Sequence, residues 1–263
     1  MTERIIEIRN RALSADHIES LAKGKIYAVI LKSFYDKTVL NSALEKIINF
    51  NGKGVLKHAS EFERIGYAYS EIQTEDDREK YHDNALNNIH TIRDLFKPAP
   101  HPIDEFRLLL DKTWPNGANL LEINQQKCFV GICRFLNPNI DLLPHTDKLE
   151  RNLSNSQKSS IQLESQLSAN IYISMPQIGG EVEFWDIEPP DKQYYKLMAQ
   201  RHYGIARTIL PKPNNIYKPQ QGDLLILNSR KIHAVRSVKH APRITTSCFI
   251  GYHGKDLPLS YWS

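Results

Sequence analysis

Between about residues 127 and 252 the chain reads as a series of short strands separated by turns, and this constrains its fold more than any other feature. Ser168-Ala169-Asn170-Ile171-Tyr172-Ile173-Ser174 alternates apolar and polar side chains, the pattern of a half-buried strand. Gly179-Gly180 makes a turn into a second alternating segment, Glu181 to Trp185. Lys218-Pro219-Gln220-Gln221-Gly222-Asp223 is turn chemistry, and it leads into Leu224-Leu225-Ile226-Leu227, the apolar run of a buried strand. Arg243 to Tyr252 is rich in β-branched residues and reads as a further strand. Two short segments lie within this region: Pro144-His145-Thr146-Asp147 ahead of these strands, and Ile232-His233-Ala234-Val235 before the last of them. Arg243 follows His233 by ten positions.

In an extended strand residues i and i+2 point the same way, so His145 and Asp147 are able to grip one metal together. A distant strand then has to supply His233. Two imidazoles and one carboxylate are the ligand set of the 2-His-1-carboxylate facial triad, which leaves three faces of a non-haem Fe(II) open. A lone H-x-D tripeptide is weak; the ordered strands and the arginine after the second histidine sharpen it.

With these residues in this order the chain resembles the Fe(II)/2-oxoglutarate-dependent oxygenases, particularly their prolyl-hydroxylase-like branch, over roughly residues 127–252. The resemblance implies an α+β chain with a double-stranded β-helix core, a jelly-roll or cupin-like squashed barrel of two facing sheets. It implies His145, Asp147 and His233 as iron ligands, and Arg243 as the partner of the distal carboxylate of 2-oxoglutarate, with Thr245 beside it. A guanidinium suits that task because its planar fork bonds a carboxylate bidentately. Tyr172 matches a position that often bonds the same carboxylate, Asn170 shares its strand face, and Arg134 is a further candidate facing the pocket. The cofactors implied are Fe(II), 2-oxoglutarate as cosubstrate, and O₂. Halogenating relatives replace the carboxylate ligand with a small residue to seat chloride. Asp147 is present here, so hydroxylation is the expected outcome, with desaturation or cyclisation starting from the same hydrogen abstraction.

The chain's size and first half look similar to bacterial oxygenases acting on free amino acids or natural-product intermediates. The leading expectation is hydroxylation of an amino acid or amino-acid-derived metabolite, releasing succinate and CO₂. A peptide or protein prolyl-type hydroxylase is the alternative and would show an open groove beside the iron. A different class, a non-catalytic cupin-like binding module or a metal-dependent hydrolase, needs no arginine at position 243. Trp185, Tyr261 and Trp262 are the candidate substrate contacts.

Composition fits a cytosolic enzyme. A net charge of +4 over 263 residues, with no basic stripe, argues against a nucleic-acid groove. No stretch is long enough to span a membrane, and Met1 to Ile5 has no apolar signal core, so a cytoplasmic location is expected; oligomeric state is left open. Cys128, Cys133 and Cys248 lack metal-finger spacing and read as buried free thiols in strands.

The expected organisation is one domain: residues 1–126 mainly helical support, 127–252 the barrel, and 253–263 a tail. Ser14 caps a short helix; Val39 to Phe50 has helical apolar spacing. Thr74-Glu75-Asp76-Asp77 opens a helix expected to run to Phe96, and Pro102 to Trp114 reads as another. His58, His82, His90 and His101 lie in this half without a partner pattern, and His240 and His253 read as loop or rim residues. Arg151 to Ser160 reads as an irregular loop, either a lid over the iron or a surface insertion. Asp186 to Tyr217, with Tyr194, Tyr195, His202 and Tyr203, reads as an excursion able to form a short helix and a pocket wall.

Overall fold

The computed structural model describes residues 4–57 and 59–263; Met1–Glu3 and His58 lie outside the described residues. The segments read as strands between residues 132 and 252 form eight, here numbered in chain order: β1 (Ile132–Leu136), β2 (Leu142–His145), β3 (Ser165–Ser174), β4 (Val182–Phe184), β5 (Asn215–Tyr217), β6 (Leu224–Asn228), β7 (His233–Val235) and β8 (Arg243–Tyr252). They divide between two sheets. The larger carries the order β6-β3-β8-β1 at its centre, and the smaller is β5-β4-β7-β2. The chain therefore crosses repeatedly from one sheet to the other.

Alternation along each strand sorts its side chains into two layers. On β6, Leu224 and Ile226 join a core under the larger sheet, whereas Leu225 and Leu227 join a second core between the sheets. On β3, Leu167, Ala169, Ile171 and Ile173 face the first core and Tyr172 the second. Gly179 turns the chain from β3 to β4 with φ +84°, and a Cβ there would lie 2.0 Å from the Ser237 carbonyl oxygen. Only glycine fits that position.

Helices cover the far side of the larger sheet. They are α1 (Ala15–Ala22), α2 (Lys37–Ile48), α3 (Glu75–Asp83), α4 (Ala85–Phe96) and α5 (Pro102–Thr113), all in the first half; α6 (Asn155–Ser160) and α7 (Asp191–Met198) follow later in the chain, α7 packing beside the smaller sheet. Ile18, Leu21, Leu40, Ile47, Ile92, Phe106 and Leu110 carry their apolar faces into the first core. The Ser14 cap is found, its hydroxyl accepting from the His17 amide at 3.4 Å, and Asp36 caps α2, accepting from the Thr38 and Val39 amides at 2.7 and 3.1 Å. No helix among the described residues is long and apolar enough to cross a membrane.

Several expectations need correction. The first half is not merely a helical layer: Ala28–Leu31 pairs antiparallel with β6, and Ile5–Ile8 adds parallel beyond it. On the opposite edge Ala59–Ile65 pairs with β1. Val29 and Leu31 face the helices while Ala28 and Ile30 face the inter-sheet core, so this short apolar run is buried on both sides and shows no alternation. The helix expected from Thr74 to Phe96 breaks at Asn84, whose side-chain amide donates to the Lys80 carbonyl at 2.8 Å and ends α3. The segment 151–160 is not irregular: a 3₁₀ turn at Leu149–Asn152 is followed by α6. Cys128 is buried but outside any strand. The C-terminal tail is neither a flap nor a surface appendage. Leu259–Trp262 is a buried strand, antiparallel to β8 and parallel to Ala118–Leu120.

Candidate active site

β2 and β7 are neighbours, and their register sets His145 directly opposite His233. Asp147 lies two residues past His145, its amide bonded to the Ser229 carbonyl at 2.8 Å. The carboxylate oxygen Oδ2 of Asp147 stands 3.4 Å from His233 Nε2 and 3.8 Å from His145 Nε2. The ligand atoms of the three residues all lie within 4.8 Å of one another, so the cluster could hold a metal ion.

The tautomers follow from the backbone. His145 Nδ1–H donates to the Leu143 carbonyl at 2.8 Å, and His233 Nδ1–H donates to the Lys231 carbonyl at 3.0 Å. A carbonyl only accepts, so the proton of each neutral ring sits on Nδ1 and the Nε2 lone pair faces Asp147. Burial, aided by His233 alongside, lowers the His145 imidazole to about 4 and keeps it neutral. Burial alone would raise the Asp147 carboxyl, but the two imidazoles and Arg134 outweigh it and hold the group well below the usual carboxylate range.

Every candidate cosubstrate residue lines the same cavity as the triad. Arg134, Asn170, Tyr172, Arg243 and Thr245 share it with His145, Asp147 and His233, in an inner space of about 110 Å³. Register explains the convergence: Tyr172 pairs with Thr245, and Thr245 pairs in turn with Arg134 on the next strand. Arg243 is buried, its Nη2 donates to the Tyr172 hydroxyl at 3.3 Å, and its Nε has no partner. Among the described residues no carboxylate forms an ion pair with it. Asn170 Nδ2 donates to the Ser168 hydroxyl at 3.1 Å.

The substrate candidates separate. Trp262 lines an outer chamber of about 440 Å³ that also touches His145 and Asp147. Tyr261, one residue earlier in the strand, points away and lies under the Arg107 guanidinium. Trp185 is not a pocket residue. Its indole N–H donates to the Pro211 carbonyl at 2.7 Å, and the ring packs with Tyr194, Ile205 and Ile232.

The excursion between β4 and β5 walls the outer chamber through Tyr194, Tyr195, Met198, His202 and Tyr203. Gly204, at φ +66°, lets it approach β2 so closely that a Cβ would lie 2.5 Å from Leu143 Cβ. The Ile205 amide then donates to the Pro144 carbonyl at 2.8 Å, and the Tyr203 hydroxyl comes within 3.1 Å of His145 Nδ1. Arg151 clasps the carbonyl and hydroxyl of Thr146 at 2.7 and 2.8 Å and reaches Asp191 at 3.0 Å. Sequence reasoning missed the contact between Tyr203 and His145, and no local signal carries it. Ser168 and Phe249 were accessible, being two and four positions from Asn170 and Thr245 on the same strand faces.

The family model of the carrier-protein-independent halogenase WelO5 matches residues 5–263. The chain belongs to the WelO5 family. Membership agrees with the resemblance to Fe(II)/2-oxoglutarate-dependent oxygenases read from the motifs. No curated protein matches it in sequence. The fold of this WelO5-family chain is similar to an N-substituted L-amino acid dioxygenase from Burkholderia ambifaria AMMD, with TM-score 0.67 and 18% identity over 95% of this chain and 91% of that one. A structure of an N-substituted L-amino acid dioxygenase from the same organism in complex with alpha-KG gives TM-score 0.66 at 17% identity over 95% of this chain and 91% of that one. A weaker likeness, TM-score 0.47 and 12% identity over 91% of this chain and 87% of that one, is to HygX from Streptomyces hygroscopicus with iron bound. Within the WelO5 family this chain carries a carboxylate, Asp147, beside its two histidines.

Proposed function

We propose that this WelO5-family chain is an Fe(II)- and 2-oxoglutarate-dependent dioxygenase that hydroxylates a C–H bond of a free amino acid or an amino-acid-derived small metabolite. The observation that carries the reading is the buried, carboxylate-free guanidinium of Arg243 in one cavity with the His145–Asp147–His233 cluster. A buried cation with no anion is costly and therefore calls for an anionic ligand. The donor set of two imidazole nitrogens and one carboxylate oxygen fits Fe(II) with open positions.

His145 and His233 would hold the metal through Nε2 and Asp147 through its carboxylate, while the Leu143 and Lys231 carbonyls fix the rings. Arg243 would take the distal carboxylate of 2-oxoglutarate with its fork, and Tyr172 and Thr245 would add hydroxyl bonds. Bound there, iron and cosubstrate supply the oxidation that O₂ drives, with release of succinate and CO₂. The protein's own work is to hold the target carbon beside the metal and to shield it from water. The two sheets of β1–β8 are read here as a double-stranded β-helix, and the whole chain as one catalytic domain around it.

Halogenation is the second reading, favoured by the family match. The Asp147 carboxylate argues against it, since it occupies the ligand position that a halide would need. The walls that α7, Tyr203 and the Leu149–Asn152 turn raise around the outer chamber favour a small molecule over an extended peptide.

The test is the anaerobic visible spectrum of the protein with Fe(II), before and after 2-oxoglutarate. A weak charge-transfer band appearing only with both supports chelation beside Arg243; bound metal without the band overturns it. A panel of amino acids and simple derivatives, assayed for succinate with chloride present, should then yield a product heavier by one oxygen. A chlorinated product would reverse the choice between the two readings.

A further inference from the structure

A second guanidinium in the cavity remains unexplained by the reading above. Arg134 projects from β1 into the inner cavity, its Nε is buried without a partner, and among the described residues no carboxylate forms an ion pair with it. It faces an aromatic ring instead: the guanidinium carbon lies 5.7 Å from the Phe249 ring centroid. Burial disfavours its charged form, and the charges of Asp147 and Glu71, neither in an ion pair with it, only partly offset that cost.

The two arginines point apart. Arg243 leans over Tyr172, 4.8 Å from that ring, and lines the inner cavity. Arg134 starts opposite Thr245, two residues along β8 from Arg243, and leans the other way along the strand toward Phe249. Phe249 and Trp262 line the outer chamber, where substrate must enter. Arg134 thus lines the inner cavity and faces a ring, Phe249, that lines the outer one.

Charge makes the same point. The charged side chains lining the inner cavity are Asp147, Arg134 and Arg243. With a ferrous dication they leave three positive charges uncompensated. The cosubstrate dianion removes two, and one remains. The outer chamber's lining offers no further carboxylate to balance it beyond Asp147, and its cations, Lys148 and Arg151, face Glu188 and Asp191.

We propose that the primary substrate carries a carboxylate or equivalent oxyanion that docks on Arg134, with its apolar body against the aromatic walls of the outer chamber. The inference rests on the oxygenase reading and sharpens its substrate class: an anionic metabolite with an aromatic or aliphatic body, rather than a neutral one. The chamber walls fit such a body through Tyr69, Tyr194, Tyr195, Met198, Phe249 and Trp262. Arg134 is then a specificity residue, and its fork selects a planar oxyanion over an amide of the same shape.

The experiment uses N-acetyl-L-phenylalanine and its carboxamide as paired probes, titrated calorimetrically into the anaerobic protein loaded with Fe(II) and 2-oxoglutarate. The acid should bind about tenfold or more tightly than the amide, the difference a charge-assisted hydrogen bond makes. Arg134→Gln should erase that preference, and the 2-oxoglutarate titration of the same variant separates a substrate contact from a cosubstrate one. Removing an unpaired buried cation should also leave the Tm of the ligand-free variant equal or higher, whereas a residue that braces the fold would lower it. Arg134→Lys keeps the charge without the fork, should retain part of the preference, and serves if the glutamine variant does not fold. Acid and amide binding alike, or neither binding, overturns the proposal. A variant that weakens 2-oxoglutarate about tenfold while preserving the acid preference assigns Arg134 to the cosubstrate instead. Failure of the band in the parent protein is a separate result and removes the oxygenase reading itself.

Discussion

At the scale of the residue, the site depends on groups held in one protonation state by burial. Arg243 is the most exposed to test. Its replacement by alanine should weaken 2-oxoglutarate by roughly 30-fold or more, read from an anaerobic titration of the charge-transfer band, because truncating one side of a buried charge pair costs about 2–5 kcal/mol. Iron binding should survive; unchanged cosubstrate affinity would favour a hydrolase or binding module. His101 offers a test of stability. Its Nδ1 accepts from the Ile103 amide at 3.2 Å, capping α5, and its Nε2 faces the Thr246 hydroxyl at 3.4 Å. Burial lowers it from 6.5 to about 3. A folded-state pKa below the unfolded value means that the unfolded chain gains the proton first. Stability is therefore intact above about 6.5 and falls as pH drops toward 3, by about 2 kcal/mol at pH 5 from this group alone. His101→Asn keeps a capping acceptor without the titration. Denaturant unfolding at about pH 7.5 and about pH 5 should show the variant losing about 2 kcal/mol less than the parent over that interval; an equal loss would clear His101 of the role. These two residues differ in legibility. Arg243 follows a histidine on a patterned strand, whereas nothing around His101 in sequence announces that Thr246 will close over it.

At the scale of the element, the turns decide whether the two sheets come together. Gly179 needs φ +84°, and its Cα faces the Ser237 carbonyl with no room for a methyl group. Gly179→Ala combines a left-handed backbone with a backbone clash, so a loss of at least about 2 kcal/mol is expected, seen as a drop in Tm of roughly 4–8 °C or more for a domain of this size. An unchanged Tm would mean that the β3–β4 connection adapts freely. The strands with clean alternation or a bounding Gly-Gly or Gly-Asp turn, β3, β4 and β6, were legible from sequence. Ala28–Leu31 was not: a strand buried on both faces has no alternation to read, and Ala-Val-Ile-Leu serves a buried helix equally well. Helix α3 is almost wholly polar apart from Tyr81, whose buried hydroxyl meets the Phe129 amide at 3.0 Å. Its separation from α4 reflects that anchoring, which lies far away in sequence.

At the scale of the whole molecule, the first half and the chain's end are parts of the sheet that carries the site. Leu259–Trp262 is buried between β8 and Ala118–Leu120, with Trp262 1% and Tyr261 6% exposed. Deleting residues 259–263 should leave a chain that does not fold cooperatively. Losing a buried Trp alone costs about 3–5 kcal/mol, a large share of the roughly 5–15 kcal/mol that stabilises a typical domain. A truncated protein with a parent-like unfolding transition would show the strand to be dispensable. The excursion between β4 and β5 is likewise integrated. Arg207 bonds Glu183 of β4 at 2.6 Å and also pairs with Asp141 just ahead of β2, holding Tyr203 near His145.

The sequence by itself marked His145, Asp147 and His233, Arg243 on the strand beyond them and the face bearing Asn170 and Tyr172; i, i+2 spacing is local and shows which of these share a strand face, while their reading as one set came from the resemblance to the oxygenases. It also marked the helices that bear a capped start and a regular apolar face. Only the tertiary structure decided which strands extend the sheet, that Trp185 turns outward while Trp262 turns toward the site, and that Tyr203 meets His145. It alone left Arg134 and Arg243 without carboxylate partners. The physical reason is the same throughout: periodicity reports which side of an element faces a neighbour, but burial, pairing and charge balance depend on which distant segment that neighbour proves to be.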